Sequence, residues 1–497
     1  MGRGRAITIG LLAGAFLVLL GGVALAAGDA TGAATQGLPL GEGEQLVDRV
    51  LHNEAGLNLL WLILGAAMVV FMQAGFALVE TGFCRAKHAA HVVMTNFAIF
   101  GLGMIGFFSV GFALMFGGAS APIIGFVEPL GRLVGPEGWG LFGTKGFFLS
   151  GDAYSVSILA FFMYQTAFMD TTATIPTGSM AERWKFSSFT IWGLFCGALY
   201  YPLYGAWVWG GGWLSQLGNT MSLGHGVVDF AGSGVVHAMG GMAALMGALL
   251  LGPRIGKFSA DGKPRAMPGH HIPMAMLGTF ILLFGWFGFN AASTFAASDL
   301  RFTVAAVNTM IAAGFGATSA MFIMWAKFGK PDPSMSANGM LAGLVAITAP
   351  CAFVQPWAAA LIGTIAGGLV IAAVLFVERV MKIDDPVGAI AVHGVNGLFG
   401  VLAVGIFADG TYGDGWNGVA GGVAGLLYGD TGQFMAQLAS VATILVFGLG
   451  FSGLFFFIQK KVMGLRSKEE DEIGGLDLPE MGVEAYPEFT GAFSAQA

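Results

Sequence analysis

Charged residues are scarce in this chain. Asp, Glu, Lys and Arg make up only 10% of the 497 residues, while hydrophobic residues make up 56%. An ordinary soluble domain is about 25% charged, so this composition excludes a soluble globular protein and indicates an integral membrane protein. The net charge of −7 belongs to loops and to the tail, and we expect no nucleic-acid partner.

Cysteine is also rare, and the arrangements that carry common enzyme chemistry are missing. Cys84, Cys196 and Cys351 lie far apart, in or beside apolar segments. Without a C-x-x-C pair, the sequence indicates neither a redox motif nor a cysteine metal site. It also lacks a metal-ligand cluster, a serine–histidine–acid set and a phosphate-binding loop. We therefore expect no enzymatic activity, no metal and no cofactor.

Long hydrophobic runs are abundant and predict an all-α membrane protein. Apolar windows long enough to cross hydrocarbon predict eleven transmembrane helices, at 57–79, 95–117, 154–178, 187–207, 232–252, 271–294, 303–325, 338–353, 357–379, 388–408 and 435–458. A β-barrel is excluded because its strands would be short and alternating. Glycine, at 81 residues, is typical of helices that pack closely in lipid.

The distribution of basic residues predicts the orientation. Sixteen of the 22 lysines and arginines follow odd-numbered spans. Apart from Arg3 and Arg5 in the first segment, only four fall on the other side, namely Arg49, Arg132, Lys145 and Arg301. Because basic residues concentrate in cytoplasmic loops, we expect an outer N-terminus and an inner C-terminus in the inner (plasma) membrane.

The chain ends suggest two further segments. Residues 1–27 resemble a signal peptide, with two arginines, an apolar run and a small-residue cleavage site near residue 26; an uncleaved helix is the alternative. Residues 28–464 would then form the transmembrane domain. The acidic, polar segment 465–497 would be a cytoplasmic tail that either docks a partner or lies solvated on the inner face.

A nine-residue pattern, D-x-x-G-x-x-x-V-H, occurs twice. It runs from Asp229 to His237 and from Asp385 to His393, at the starts of the fifth and tenth spans. In opposite topology, each histidine lies about 12 Å deep in a core about 30 Å thick, so the two meet near the midplane. We therefore expect two inverted five-helix repeats plus a C-terminal helix.

Simpler interpretations of these residues stay open. Each aspartate is a preferred helix cap, and one histidine alone could be a satisfied packing residue. An acid and a histidine kept twice inside a bilayer nevertheless favour a function for the histidine pair. Aromatic residues around Trp209, Phe168 and Gly285–Ser293 either pack in the core, hold a small cation by their ring faces, or close a narrow path.

Taken together, several motifs resemble the ammonium transporter family (the Amt/Rh superfamily, bacterial type) over about residues 53–489. The matching segments are FMQAGFALVETG, YQTAF with the following AER, DFAGSGVVH, GWFGFNAAS and DDPVGAIAVHGVNG. The resemblance implies the ammonium transporter fold with eleven helices, pseudo-twofold halves and a homotrimer with one pore per subunit. The long loop 117–151 and Met481, where histidine is common, depart from the family outside the pore.

The resemblance also implies roles for individual residues. Trp209, Ser293 and Phe168 would form an outer substrate-binding site that recruits ammonium, with Asp229 as the buried acid behind it. Phe168 and Phe289 would be a stacked gate below this site.

Further inward, His237 and His393 would be the twin histidines of a narrow apolar pore, with Trp286 on their inner side. An ammonium ion cannot cheaply cross such a path, because burying an unpaired charge is costly, whereas neutral ammonia can cross. The sequence thus suggests recruitment of NH4+, loss of a proton and passage of NH3. It leaves open whether that proton returns or also crosses.

Other functions are compatible with parts of this pattern. An ammonium sensor (transceptor) would bind the ion and signal through the tail, and a channel for methylammonium or CO2 would use the same pore. The resemblance also implies a PII-type regulatory protein as a partner at the cytoplasmic face.

Overall fold

The protein is almost entirely helical in the part that the structure describes. The computed structural model describes residues 46–488, with side chains from residue 50 onward. Within this part the extended structure amounts to isolated β-bridges, without a named strand. The predicted signal peptide at 1–27 lies outside the described residues.

Eleven long helices follow one another along the described chain. In order they are α1 (Leu46–Phe83), α2 (Ala86–Phe116), α3 (Val156–Ser179), α4 (186–208), α5 (Ser233–Leu251), α6 (Ile272–Thr294), α7 (Arg301–Phe328), α8 (Pro333–Ile347), α9 (Pro356–Arg379), α10 (Ile390–Phe407) and α11 (Thr431–Val462). Eight of them, all except α3, α4 and α8, are long and apolar enough to cross a membrane. The chain is therefore a membrane protein with several spans.

The predicted spans each overlap a helix, but some boundaries were wrong. Helix α1 already includes residue 46, before its predicted start at 57, and α2 begins at residue 86 instead of 95. A hydropathy window finds only the apolar part of a helix, whereas the hydrogen-bonded helix continues into polar residues. Helix α8 covers Pro333–Ile347 instead of 338–353, since the Asp332 side chain caps its start by accepting from the backbone N–H groups of Ser334 and Met335.

Helix α3 is polar because it lies inside the protein. It packs against α1, α2 and α5, and nearly all of its side chains are buried. It carries Gln165, Asp170 and several threonines. A helix surrounded by other helices needs no apolar outer face, so its hydropathy is low although its neighbours are typical membrane helices.

Several helices contain a π-helical turn, in which the backbone hydrogen bond skips one additional residue. Two of these turns hold the motif histidines: Ser233–Ala238 at the start of α5 and Ile390–Val395 at the start of α10. A third, Phe287–Ala291, lies in α6. Such turns often mark functional sites, because the extra residue redirects side chains. Here the three turns gather around one buried row of rings.

Candidate functional site

The first copy of the repeated motif is a helix cap. The carboxylate of Asp229 accepts hydrogen bonds from the backbone N–H groups of Gly232 (2.8 Å), Gly234 (2.8 Å) and Val235 (2.9 Å). Gly232 has a φ of +108°, which residues with a Cβ rarely adopt. The Asp and Gly of the motif therefore build the tight turn that starts α5.

The second copy has the same construction. Asp385 accepts from the backbone N–H groups of Gly388 (3.1 Å) and Ile390 (2.8 Å), and Gly388 has a φ of +83°. Both aspartates thus act as caps, as the simpler interpretation of the sequence had it. The cap fixes where each π-helical turn begins, and so where its histidine lies.

The two histidines contact each other. Nδ1 of His237 lies 3.1 Å from Nδ1 of His393, and the rings are nearly parallel at 5.2 Å between centroids. Behind them, the backbones of Gly241 and Gly394 approach so closely that a Cβ on Gly241 would collide with Gly394. His237 is fully buried, and its Nε2 has no hydrogen-bond partner within residues 46–488.

A row of aromatic rings extends from this pair to Trp209. Phe289 stacks on His237 at 5.4 Å, and Phe168 stacks on Phe289 at 4.0 Å with 21° between the planes. Trp209 then meets Phe168 edge-on at 6.0 Å. Phe168 and Phe289 are almost completely buried and lie between Trp209 and His237 in this row.

Two further rings contact the histidine pair. Trp286 stacks on His237 at 5.0 Å and donates its indole N–H to Thr348 Oγ1 at 2.9 Å. Phe76 packs against His393 at 6.1 Å. Sequence reasoning missed Thr348 and Phe76. Phe76 lies within the matched segment of α1, whereas no pattern marks Thr348.

A small cavity lies above Phe168. It encloses about 130 Å³, and its walls include Phe168, Trp209, Ser293, Gln165 and Trp416. The structure therefore brings three of the four predicted outer-site residues to one wall. The fourth, Asp229, lies behind that wall. Its backbone oxygen accepts a hydrogen bond from Trp209 Nε1 at 2.7 Å, while its carboxylate accepts from the backbone at the start of α5.

Ser293 is held by a buried tyrosine that sequence reasoning did not single out. The Ser293 hydroxyl donates a hydrogen bond to the carbonyl of Phe289 at 2.8 Å. Tyr164 Oη lies 3.1 Å from the Ser293 hydroxyl oxygen. Tyr164 is one helical turn from Phe168, so both side chains belong to the same face of α3. That spacing is the signal that could have found Tyr164.

The end of the bundle near Glu182 and Asp384 holds a buried network of charges. Glu182 pairs with Arg85 (2.5 Å) and with Arg254 (2.8 Å), and Arg254 also pairs with Asp384 (2.8 Å). Burial alone would raise the pKa of Glu182, but Arg254 and its other partners hold that pKa below the usual range. The pKa of Asp384 is likewise low, because Arg183 and Arg254 outweigh the effect of burial. The network joins four interhelical connections.

The segment after α11 is fixed to this end of the bundle. Asp477 accepts from the backbone N–H of His91 at 2.9 Å, and the backbone N–H of Leu476 donates to His88 Nδ1 at 3.2 Å. His270 Nε2 lies 2.8 Å from the Tyr486 hydroxyl. Three histidines outside the repeated motif, His88, His91 and His270, thus contact this segment.

Comparison with known proteins identifies the family. The model of the Ammonium Transporter Family matches residues 60–486. The chain belongs to this family. It is 46% identical to ammonium transporter Amt2 of Archaeoglobus fulgidus over 97% of this chain and 96% of that protein. It is 36% identical to ammonium transporter Amt1 of Haloferax mediterranei over 88% of this chain and 80% of that protein.

Solved structures agree with this assignment. A structure described as "Sensor Amt Protein" matches with a TM-score of 0.75 and 36% identity, over 86% of this chain and 99% of that one. A crystal structure of Saccharomyces cerevisiae Mep2 matches with a TM-score of 0.71 and 26% identity, over 83% of this chain and 88% of that one. The family consists of transporters and not of enzymes, and ammonium transport is the activity that these relatives support.

Proposed function

We propose that this ammonium transporter family member recruits NH4+ in the outer cavity, removes a proton and conducts NH3 between the two histidines. The observation that carries the proposal is the buried row of rings formed by Trp209, Phe168, Phe289, His237 and His393. At one end of this row lies a cavity that suits a small cation. The row itself contains no Asp, Glu, Lys or Arg side chain.

The outer cavity suits ammonium better than a larger or neutral solute. Its volume of about 130 Å³ admits only a small molecule. The faces of Trp209 and Phe168 attract a cation through their quadrupoles, and Ser293 supplies a hydroxyl oxygen for an N–H donor. Asp229, one layer behind Trp209, adds negative charge that water does not screen directly.

The stacked phenylalanines below the cavity oppose the passage of the ion. Phe168 and Phe289 offer no oxygen or nitrogen to replace the hydration shell of a cation, and an unpaired buried charge is costly. Removal of the hydration shell costs far less free energy for neutral ammonia than for the ion. Deprotonation at or below the cavity is therefore the step that allows passage, with Phe168 and Phe289 as the gate.

The histidine pair supplies hydrogen-bonding groups, which a purely apolar pore would lack. Two Nδ1 atoms 3.1 Å apart share one proton, so one ring donates and the other accepts. The two Nε2 atoms then differ: one is an acceptor and the other a donor. Ammonia can both donate and accept, so a pair of this kind guides it through the dry segment. Trp286 bounds this segment on the inner side.

We further propose that all eleven helices span the membrane, as two inverted repeats (α1–α5 and α6–α10) plus α11. The equivalent caps of Asp229 and Asp385 support the repeat. The burial of α3 supports counting it as a span despite its polar side chains. The basic residues support an outer N-terminus and a cytoplasmic C-terminus in the inner (plasma) membrane.

The remaining parts of the proposal concern segments and partners. Residues 1–27 would be a signal peptide, 28–464 the transporter domain and 465–497 the cytoplasmic tail. By family membership, three copies would form a homotrimer and a PII-type protein would bind the cytoplasmic face. A sensor role is not favoured, since the curated relatives are named ammonium transporters.

Flux in liposomes that contain only the purified protein tests the proposed function. We expect saturable, protein-dependent uptake of ammonium, and uptake of methylammonium if the cavity admits the extra methyl group. Binding without protein-dependent flux would instead favour a sensor. Paired records of current and internal pH will distinguish electroneutral NH3 passage from passage of NH3 with a proton.

A further inference from the structure

Glu80, on α1, is a buried acid whose partners in the described part of the chain are neutral. The residue is only 3% exposed. Its carboxyl group accepts from Asn96 Nδ2 on α2 at 2.7 Å, and both of its oxygens lie 2.8 Å from the Thr177 hydroxyl on α3. The charged group with the largest electrostatic effect on Glu80 is Asp385, another acid, and the nearby Cys84 thiol supplies no positive charge. An unpaired buried carboxylate is costly, so this environment favours the protonated acid.

The Thr177 hydroxyl allows the site to hold Glu80 in either protonation state. Thr177 Oγ1 contacts the Thr174 carbonyl as well as both oxygens of Glu80. When Glu80 carries a proton, its O–H donates to Thr177 Oγ1 while the Thr177 hydroxyl donates to Thr174. When Glu80 is ionised, the Thr177 hydroxyl turns and donates to the carboxylate. Rotation of one hydroxyl therefore exchanges the two states, as a site that binds and releases a proton requires.

The Asn96 amide has a fixed orientation toward Glu80. Its Oδ1 accepts from Gln73 Nε2 at 3.2 Å and from Thr174 Oγ1 at 3.3 Å, so its Nδ2 is the atom that reaches Glu80. A carboxylic acid and a carboxylate both accept hydrogen bonds, so Nδ2 donates to Glu80 in either state. The surrounding helices thus keep the acid in place while its proton comes and goes.

The position of Glu80 along α1 lies just beyond the histidine pair. Phe76, one turn earlier, packs against His393 at 6.1 Å. Glu80 follows four residues later, about 6 Å further along the helix axis. Arg85, directly after the end of the helix, pairs with Glu182. Glu80 is therefore the acid on α1 between the level of His393 and the buried charge network.

The α6 helix carries a similar arrangement at the outer cavity. There Phe289 stacks on His237, and Ser293, four residues later, lines the cavity. On α1 the corresponding residues are Phe76 and Glu80, and a glycine precedes the phenylalanine in both helices. Under the proposed inverted repeat, each half thus has a polar side chain one turn beyond the phenylalanine that packs on its histidine. In one half this side chain is a hydroxyl, and in the other it is an acid.

We propose that Glu80 is a proton-binding residue of the transport path. The inference rests on the proposed function, and it concerns the proton that ammonium loses. The resting acid releases its proton toward the Glu182 network, which leaves a carboxylate held by Asn96 and Thr177. The carboxylate then binds the proton set free when NH4+ forms NH3, and the acid is restored. Ammonia itself needs no such group, because it passes between the histidines as a neutral molecule.

Glu80→Gln tests the proposal, because it removes the exchangeable proton but keeps the length and a donor and an acceptor. Ammonium uptake and current are recorded together in proteoliposomes under an inward ammonium gradient. We expect the current to fall by about 100-fold, the size of a lost acid–base group. The half-saturating concentration of the remaining uptake and the melting temperature should stay unchanged. Glu378→Gln, on α9, is the matched control, since this acid pairs with Lys257, and it should keep the full current.

Two further variants separate proton binding from packing. Glu80→Asp keeps an acid and should retain more current than Glu80→Gln, whereas a packing role predicts the reverse order, since Gln matches the length of Glu. If Glu80→Gln does not fold, as judged by gel filtration, Thr177→Val is assayed in its place. It removes the hydroxyl that changes partner and should lower the current in the same way.

A current in Glu80→Gln equal to that of the unmodified protein would overturn the proposal. So would a smaller current in Glu80→Asp than in Glu80→Gln. Saturable ammonium uptake by the unmodified protein without entry of a proton would also overturn it, while leaving the proposed function intact. If the unmodified protein itself gives no saturable uptake, the proposed function fails and this proposal fails with it.

Discussion

Nδ1 of His237, on α5, lies 3.1 Å from Nδ1 of His393, on α10. The two residues are 156 positions apart in sequence, yet each is the last residue of the same nine-residue motif. Each motif starts its helix with an aspartate cap and a glycine of positive φ. The contact therefore depends on two similar turns that direct the rings toward each other.

We expect His237→Ala to lose ammonium transport or its selectivity while the protein still reaches the membrane. The substitution removes the only polar atoms that His237 offers in the ring row and leaves His393 Nδ1 without its partner. Flux of ammonium and of potassium is measured in proteoliposomes. His52→Ala, near the start of α1, is the control and should behave like the unmodified protein. Normal flux and selectivity in His237→Ala would remove the histidines from the mechanism.

Trp209→Leu should weaken recruitment more than passage. A cation–π contact contributes about 0.5–2 kcal/mol, which corresponds to a rise in the half-saturating ammonium concentration of about 2- to 30-fold. Maximal flux should change less, because Phe168 and Phe289, the proposed gate, are unchanged. Trp139→Leu, in the loop between α2 and α3 where Trp139 stacks on Trp213, provides the control. An unchanged concentration dependence in Trp209→Leu would argue against a cation–π site.

Gly232→Ala should destabilise the protein and also impair recruitment. Gly232 has a φ of +108°, and a Cβ there would lie 2.6 Å from Val236 Cγ2 and 3.1 Å from Trp209 Cη2. Strained backbone of this kind costs about 1–3 kcal/mol, and the indole must move. Thermal unfolding in detergent and ammonium flux measure the two effects. Gly450→Ala, in an open position of α11, should leave both unchanged; equal behaviour of the two variants would contradict the account.

How much of this could be foreseen from the sequence differs between residues. The helical class and the family were predicted correctly, because apolar runs and the motifs are local patterns. The proximity of His237 and His393 was predicted from the nine-residue motif that occurs twice. The contact of Tyr164 with Ser293 and that of Thr348 with Trp286 could not be predicted, since each joins residues far apart in the sequence. Cavities and buried contacts such as those of Glu80 require coordinates.

Asp384→Asn should destabilise the inner charge network. Removal of one partner from a buried ion pair costs about 3–5 kcal/mol, and here Arg254 would remain buried beside a neutral amide. We expect a lower melting temperature in detergent at neutral pH. Asp261→Asn removes an exposed partner of Lys263 and should leave the melting temperature unchanged. Equal melting temperatures for Asp384→Asn and the unmodified protein would contradict this assignment.

The ion pair of Asp384 with Arg254 predicts that the stability of the protein depends on pH. The pKa of Asp384 is lower in the folded protein than in the unfolded chain, where an Asp carboxyl has a pKa of about 3.9. The stabilisation is therefore complete above that unfolded value and is lost as pH falls through the folded-state pKa. The difference in melting temperature between the unmodified protein and Asp384→Asn should stay constant from neutral pH to about pH 5 and shrink under stronger acid. A difference that already disappears near neutral pH would contradict the assignment.

The most direct test of the ring-lined ammonia path compares two ions of similar size in one preparation. Proteoliposomes receive equal inward gradients of ammonium or potassium while current and internal pH are recorded together, with protein-free liposomes as the baseline. The account predicts a protein-dependent change in pH or current with ammonium, none with potassium, and loss of the ammonium response in His237→Ala. Equal potassium and ammonium currents, or an undiminished ammonium response without His237, would contradict it.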